Sequence, residues 1–395
     1  MNRQILSNGT LILPTRAVAG SLIIEDGRIA DIREGSSYPE GLDLSGQFLI
    51  PGLIDMHTDY LEKEVNPRPS AEFPLAMAFH MMDLRAIGCG VTTVLGAARI
   101  SNDHNGRPTG WNGDGLELAR LYSDLRRNAL ARHYIHIRWN PNFEPVEHIL
   151  AALLELDSIG NVVYNDSTPG ERQFRNLDEQ IKRFAENRGV STEEARAVFE
   201  ARRRAAAAIN NRAAVHAALV GRIPLGSHDD TTVEHVLEAH QFGSTLAEMP
   251  CSIEAAREAR KLGMTICMGA PNYYRGGSHC GNLGCPEAMA EGLVDILCSD
   301  FHFPSLLASA LKMMTEGMAP SAAINLMSLH PARYLGLADQ IGSIETGKTA
   351  DLVAFYPRTG FALVSQVWVD GTSRLEAGVV RPPTTAEIPG QPMFA

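Results

Sequence analysis

Apolar positions near the start of the chain come in short runs, Leu11-Ile12-Leu13, Ser21-Leu22-Ile23-Ile24 and Ile29 to Ile32, with an Asp26-Gly27 turn between the last two. That pattern predicts strands joined by tight turns. The end of the chain reads alike: Gly342 to Lys348 is turn-rich, Asp351 to Phe355 is an apolar strand, and Val367-Trp368-Val369 precedes another turn at Asp370-Gly371. Strands at both ends predict that the termini pair into one small β-sandwich domain, residues 1–48 plus 340–395, which closes the chain without carrying chemistry.

Residues 49–339 alternate short apolar runs with amphipathic stretches, the signature of repeated βα units around a parallel sheet. Strands are expected at Leu49 to His57, Val91 to Ala97, Tyr134 to Trp139, Val162 to Asp166, Ile223 to His228, Thr245 to Met249, Thr265 to Gly269 and Ile296 to Asp300. Eight such units predict an α/β chain folded as a (β/α)8 TIM-like barrel, with its chemistry at the carboxyl ends of the strands. Residues 170–221 are charged and helical, with Ser191 and Glu194 forming a capping box ahead of Ala195 to Ala208. This reads as a helical insertion after the fourth strand, a solvated surface or dimer contact before a substrate lid.

A chain of 395 residues suits one barrel plus a small accessory unit. No apolar run reaches the roughly 18 to 20 residues needed to cross a bilayer, and the start carries no export pattern, so a cytoplasmic protein is expected. The six cysteines lack CxxC pairing and argue against a disulfide framework; Cys280 and Cys285 read as loop-filling residues before metal ligands. A net charge of -11 excludes extended nucleic-acid or anionic-membrane binding but leaves a small anionic substrate open. Oligomeric state is undetermined, a homo-oligomer included.

The strongest chemical signal is Pro51-Gly52-Leu53-Ile54-Asp55-Met56-His57-Thr58-Asp59. A strand ending in His-x-Asp sets two side chains on one face, within reach of one cation. His228, in Gly226-Ser227-His228-Asp229-Asp230, is a further metal ligand at the end of the fifth strand; Asp229 and Asp230 either orient ligands or cap the following helix. Asp300, ending the eighth strand, is expected to bind metal and accept a proton. Asp166 and Glu248 are further candidate ligands at the same mouth. Histidine with carboxylate suits zinc first, with manganese or iron as alternatives.

Around that mouth, Gly276 and Gly277 lie in a Gly-rich loop whose amides are expected to converge on an anion. Arg275 would add charge, and His279 would ligate or donate a proton. Arg68 after the first strand and Arg172 after the fourth complete three arginine loops, which favour a polyanionic phosphorylated substrate. His80, beside Met77, Met81 and Met82, reads as a core or helix-surface residue.

These motifs, with Asn66-Pro67-Arg68-Pro69, Thr168-Pro169-Gly170-Glu171-Arg172-Gln173-Phe174, Met268-Gly269-Ala270-Pro271-Asn272 and Ser299-Asp300, run in family order along nearly the whole chain. The sequence resembles the alpha-D-ribose 1-methylphosphonate 5-triphosphate diphosphatases of the carbon-phosphorus lyase pathway, a branch of the amidohydrolase superfamily. The resemblance implies hydrolysis of a ribose 5-triphosphate between its alpha and beta phosphates with release of pyrophosphate. It further implies metal held by His57, Asp59, His228 and Asp300, with Arg68, Arg172 and Arg275 on phosphate or phosphonate oxygens. Two positions depart from the family pattern: Asn140 stands where a carboxylate is usual, and Asn165-Asp166-Ser167 replaces Met-Asp-His. Those departures imply fewer metals or another substrate. The alternatives are cleavage of an amide, lactone or cyclic ester, and a catalytically silent barrel acting as a binding or assembly protein.

Overall fold

The computed structural model describes residues 3–68, 71–100, 115–142, 147–166, 168–172 and 176–378. Pro69, Ser167, Gln173, Phe174 and Arg175 lie outside the described residues.

The chain opens with β1 (Arg3–Ile12), β2 (Ala17–Glu25), β3 (Arg28–Glu34), β4 (Leu42–Asp43) and β5 (Phe48–Pro51). Eight parallel strands follow in chain order: β6 (Leu53–Thr58), β7 (Val91–Ile100), β8 (Arg132–Trp139), β9 (Ile159–Tyr164), β10 (Leu225–His228), β11 (Leu246–Glu248), β12 (Thr265–Gly269) and β13 (Ile296–Cys298). The eight expected strands are all present. β14 (Leu352–Arg358), β15 (Phe361–Val369) and β16 (Thr372–Glu376) then return to the start of the chain. Both termini join one hydrogen-bonded sheet in the order β16-β15-β14-β5-β1-β2-β3, with β4 beside β1.

The first expected barrel strand is split. Gly52 separates β5, in the terminal sheet, from β6, in the barrel, and its amide donates to the Asp351 carbonyl at 2.8 Å. A Cβ at Gly52 would meet Thr92 Oγ1 at 2.0 Å, so glycine is what lets the chain cross from sheet to barrel against β7.

The barrel meets itself between β6 and β13 in two ways. Near the amino ends, Leu326-Met327 fills the gap, accepting from the Leu297 amide at 2.9 Å and the Ile54 amide at 2.8 Å. At the carboxyl ends the strands bond directly: the Asp300 amide to the His57 carbonyl at 3.0 Å, and the Asp59 amide to the Asp300 carbonyl at 2.7 Å. A buried cluster of Met56, Leu95, Val163, Leu246, Cys267, Ile296 and Cys298 draws on six strands, which places it inside the barrel.

The insertion consists of helices Leu177–Arg188, Thr192–Ala208 and Arg212–Leu219. The capping box is present, with Ser191 Oγ accepting from the Glu194 amide at 3.2 Å and Glu194 Oε2 from the Ser191 amide at 2.8 Å. The first two helices bury their own small core of Ile181, Ala185, Ala195 and Phe199. The third packs Val215 and Leu219 into the main core.

Candidate metal centre

Three strand ends turn sharply where the candidate chemistry lies. Asp229, Met249 and Asp300, just past β10, β11 and β13, have φ of 62°, 51° and 55°, a left-handed conformation unusual for side chains larger than glycine. Such strain clusters where the surrounding structure holds functional groups in place.

His57, His228 and Glu248 bring donor atoms within 4.8 Å of one another, and His57, Asp59 and Asp300 form a second such group. Glu248 Oε2 lies 3.1 Å from His57 Nδ1 and 3.1 Å from His136 Nε2. The other edge of the His57 ring faces Asp59, with Nε2 3.6 Å from Oδ1. Burial opposes the charge on Glu248, yet His136 and His57 hold its carboxyl well below the usual range. Asp300 runs the other way: burial pushes its carboxyl up and Asp59 adds to it.

These groups approach without satisfying each other. His57 Nδ1, His136 Nε2, both His228 nitrogens and both Glu248 oxygens are buried with no aligned hydrogen-bond partner. His136 Nδ1 sits 2.8 Å from Asn161 Oδ1 and therefore carries the ring proton, which leaves the Nε2 lone pair facing Glu248. Unmatched acceptors in a buried site are costly, and a divalent cation among them removes the cost. The donor set fits such an ion.

His57, Asp59, His228, Glu248 and Asp300 thus lie together at the barrel mouth. Asp166 does not. Its oxygens are engaged by the Thr168 amide at 3.0 Å and hydroxyl at 2.6 Å, by Asn142 Nδ2 at 2.9 Å and by Arg212 Nη2 at 3.4 Å, so it organises the loop after β9. Asn140 is also structural: its Oδ1 accepts from the Asn142 amide at 2.9 Å, tightening the turn after β8.

The anion-binding expectations need larger corrections. The amides of Gly276 and Gly277 do not form a nest, because they bond the Tyr273 and Asn272 carbonyls at 3.1 and 2.9 Å and close the helix Ala270–Arg275. Arg172 is buried, its guanidinium engaged by Asp230, which Ser227 Oγ also contacts at 2.5 Å. Arg68 is exposed and bridges to Ala71. Arg275 and His279 do line one cleft, together with Ser278, Asn272, Asp229 and Asp300. Among the described residues they are the expected groups that reach the mouth.

Three residues escaped the sequence reading. His136 is fully buried beside His57, ring centroids 4.6 Å apart. Arg138 Nη1 holds both oxygens of Asp59, at 3.0 and 3.1 Å. Asp55 is buried against Ser299. The signal for the first two was the His-x-Arg alternation on β8, which repeats the spacing of His57 and Asp59.

The amidohydrolase family matches residues 183–374 of the chain. Alpha-D-ribose 1-methylphosphonate 5-triphosphate diphosphatase of Escherichia coli is 35% identical over 382 residues, 93% of this chain and 99% of that protein. Imidazolonepropionase of Erwinia tasmaniensis is 24% identical over 380 residues, 85% of each. Among solved structures, the β-aspartyl dipeptidase of Fervidobacterium islandicum shares the fold with a TM-score of 0.63 at 16% identity, covering 97% of this chain and 100% of that one. A relative 35% identical along nearly the whole length, joined to a buried histidine and carboxylate cluster at a barrel mouth, establishes that the chain belongs to the amidohydrolase family and is a metal-dependent hydrolase.

Proposed function

We propose that this protein hydrolyses the 5-triphosphate chain of a ribose 1-phosphonate between its alpha and beta phosphates and releases pyrophosphate. The observation that carries the reading is the 35% identity, over 93% of the chain, to a diphosphatase of that name. The cleft geometry supports it, since Arg275 and His279 line the wall that also holds Asp300.

In this reading His57, His228 and Glu248, with Asp59 and Asp300, hold the divalent cation, zinc by preference for this mixed nitrogen and oxygen set. When bound, such a cation would supply Lewis acidity toward water and counter-charge for the transition state. Asp300, its carboxyl raised by burial, takes the proton from the attacking water and returns it to the departing phosphate oxygen. Arg275 neutralises charge on the polyphosphate, and His279 serves as a second donor at the rim. The apolar cluster beneath the site excludes bulk water from below.

Similarity to an imidazolonepropionase over 85% of each chain supports a second reading, hydrolysis of a cyclic amide at the same centre. One assay separates the two. The metal-loaded protein is offered ribose 5-triphosphates and, in parallel, a panel of cyclic amides and lactones. Pyrophosphate release with no turnover of the panel is expected; turnover of the panel alone rejects the diphosphatase reading.

A further inference from the structure

With Arg172 engaged by Asp230 and the Gly276 and Gly277 amides engaged by their helix, a polyphosphate needs another cationic partner near the reacting bond. Arg138, at the carboxyl end of β8, has the right placement. Its Nη1 bonds both oxygens of Asp59, which belongs with His57 and Asp300 to one of the two candidate ligand groups. No other charged side chain described for the site touches that carboxylate so closely; His57 Nε2 is 3.6 Å away.

The guanidinium has two edges. Nη1 is occupied, while the Nε and Nη2 edge has no hydrogen-bond partner among the described residues, and Nε is buried. That edge is the fork that grips two oxygens at once, as Arg257 does with Glu291 through Nε at 2.8 Å and Nη2 at 2.7 Å. The Arg138 side chain keeps 17% of its surface exposed while its Nε is desolvated, so the residue is not sealed off from the mouth. An unpartnered guanidinium fork beside the candidate metal ligands is complementary to a tetrahedral oxyanion.

We propose that Arg138 binds substrate: its Nε and Nη2 take two oxygens of one phosphate group of the polyphosphate, while Nη1 holds Asp59 in place. This rests on the polyphosphate reading above. The arrangement lets a single residue set the distance between the phosphate and the metal ligands.

The test uses the metal-loaded protein with inorganic pyrophosphate as probe, comparing wild type with Arg138→Gln and Arg138→Lys. Glutamine keeps one donor for Asp59 but removes the charge, and lysine keeps the charge but removes the fork. Both variants are expected to retain wild-type metal content by elemental analysis. Pyrophosphate affinity should fall about 10- to 100-fold in Arg138→Gln and recover only partly in Arg138→Lys. Pyrophosphate binding in Arg138→Gln within twofold of wild type, or full recovery with lysine, overturns the fork. Loss of metal in both variants also overturns it, making Arg138 a positioning residue for Asp59. Wild type that neither binds pyrophosphate nor releases it from ribose triphosphates defeats the polyphosphate reading itself, and the proposal with it.

Discussion

Asp55 on β6 accepts two hydrogen bonds from Ser299 beside β13, one from its amide at 2.8 Å and one from its hydroxyl. This pair ties the first barrel strand to the last, directly behind His57 and Asp300. Burial pushes the Asp55 carboxyl up to about 7 even with both bonds in place. Ser299→Ala removes the hydroxyl and leaves a buried oxygen unpaired, which should cost about 1 to 3 kcal/mol in chemical denaturation. A change below about 0.5 kcal/mol, less than a typical net hydrogen bond contributes, would show that the main-chain bonds hold the seam alone.

The proposed ligand His228 would link metal binding to the stability of the fold. Chelation should lower the melting temperature of wild type, and restoring the ion should raise it again, because the ion binds the folded state. His228→Ala deletes a nitrogen that its neighbours do not replace in kind, so metal occupancy and turnover should fall together. A variant with full metal content and no activity would place His228 outside the ligand set.

Arg275 should behave differently. It is exposed in the cleft wall, so Arg275→Ala is expected to keep its metal and lose about 1.5 to 3 kcal/mol of transition-state stabilisation on a polyphosphate, roughly 10- to 150-fold in kcat/KM. An uncharged ester should be affected much less. Equal losses on both substrates would remove Arg275 from anion binding.

Far from the mouth, Asp83 accepts from the amides of Leu130 and Ala131 at 2.7 and 2.9 Å and from His133 Nε2 at 2.8 Å. Burial opposes its charge, but His133 and the two amides win and hold the carboxyl below its ordinary value of 3.8. A lowered carboxyl stabilises the fold at pH values above the unfolded pKa, and that stability is lost as pH falls through the folded value. Asp83→Asn should therefore cost about 2 to 4 kcal/mol at neutral pH. The gap between variant and wild type should narrow in acid, below about pH 4. A gap that stays constant down to pH 3 would mean the charge is not its source.

Periodicity made the barrel legible from sequence. Alternating apolar runs specify strands locally, and eight of them with helices between admit few other closures. The candidate metal centre was half legible for the same reason, since His57 and Asp59 lie two positions apart where β6 gives way to a helix, and His228, Glu248 and Asp300 sit at or just past the ends of their strands. Asp166 ends its run in the same way, yet its loop engages it through Thr168 and Asn142.

What the tertiary structure decided was the partner of each charge. Arg172 looks like a free loop cation in sequence, but Asp230, 58 positions away, engages it once β9 and β10 lie side by side. Gly276 and Gly277 look like an anion nest, but their amides close a short helix instead. Conversely, His136 and Arg138 look like ordinary strand residues until barrel closure brings Glu248 and Asp59 to them. Side-chain spacing along a strand follows from covalent geometry, and sequence carries it. Which groups lose water together, and so must find a partner or an ion, depends on packing between distant segments, and only the folded barrel determines it.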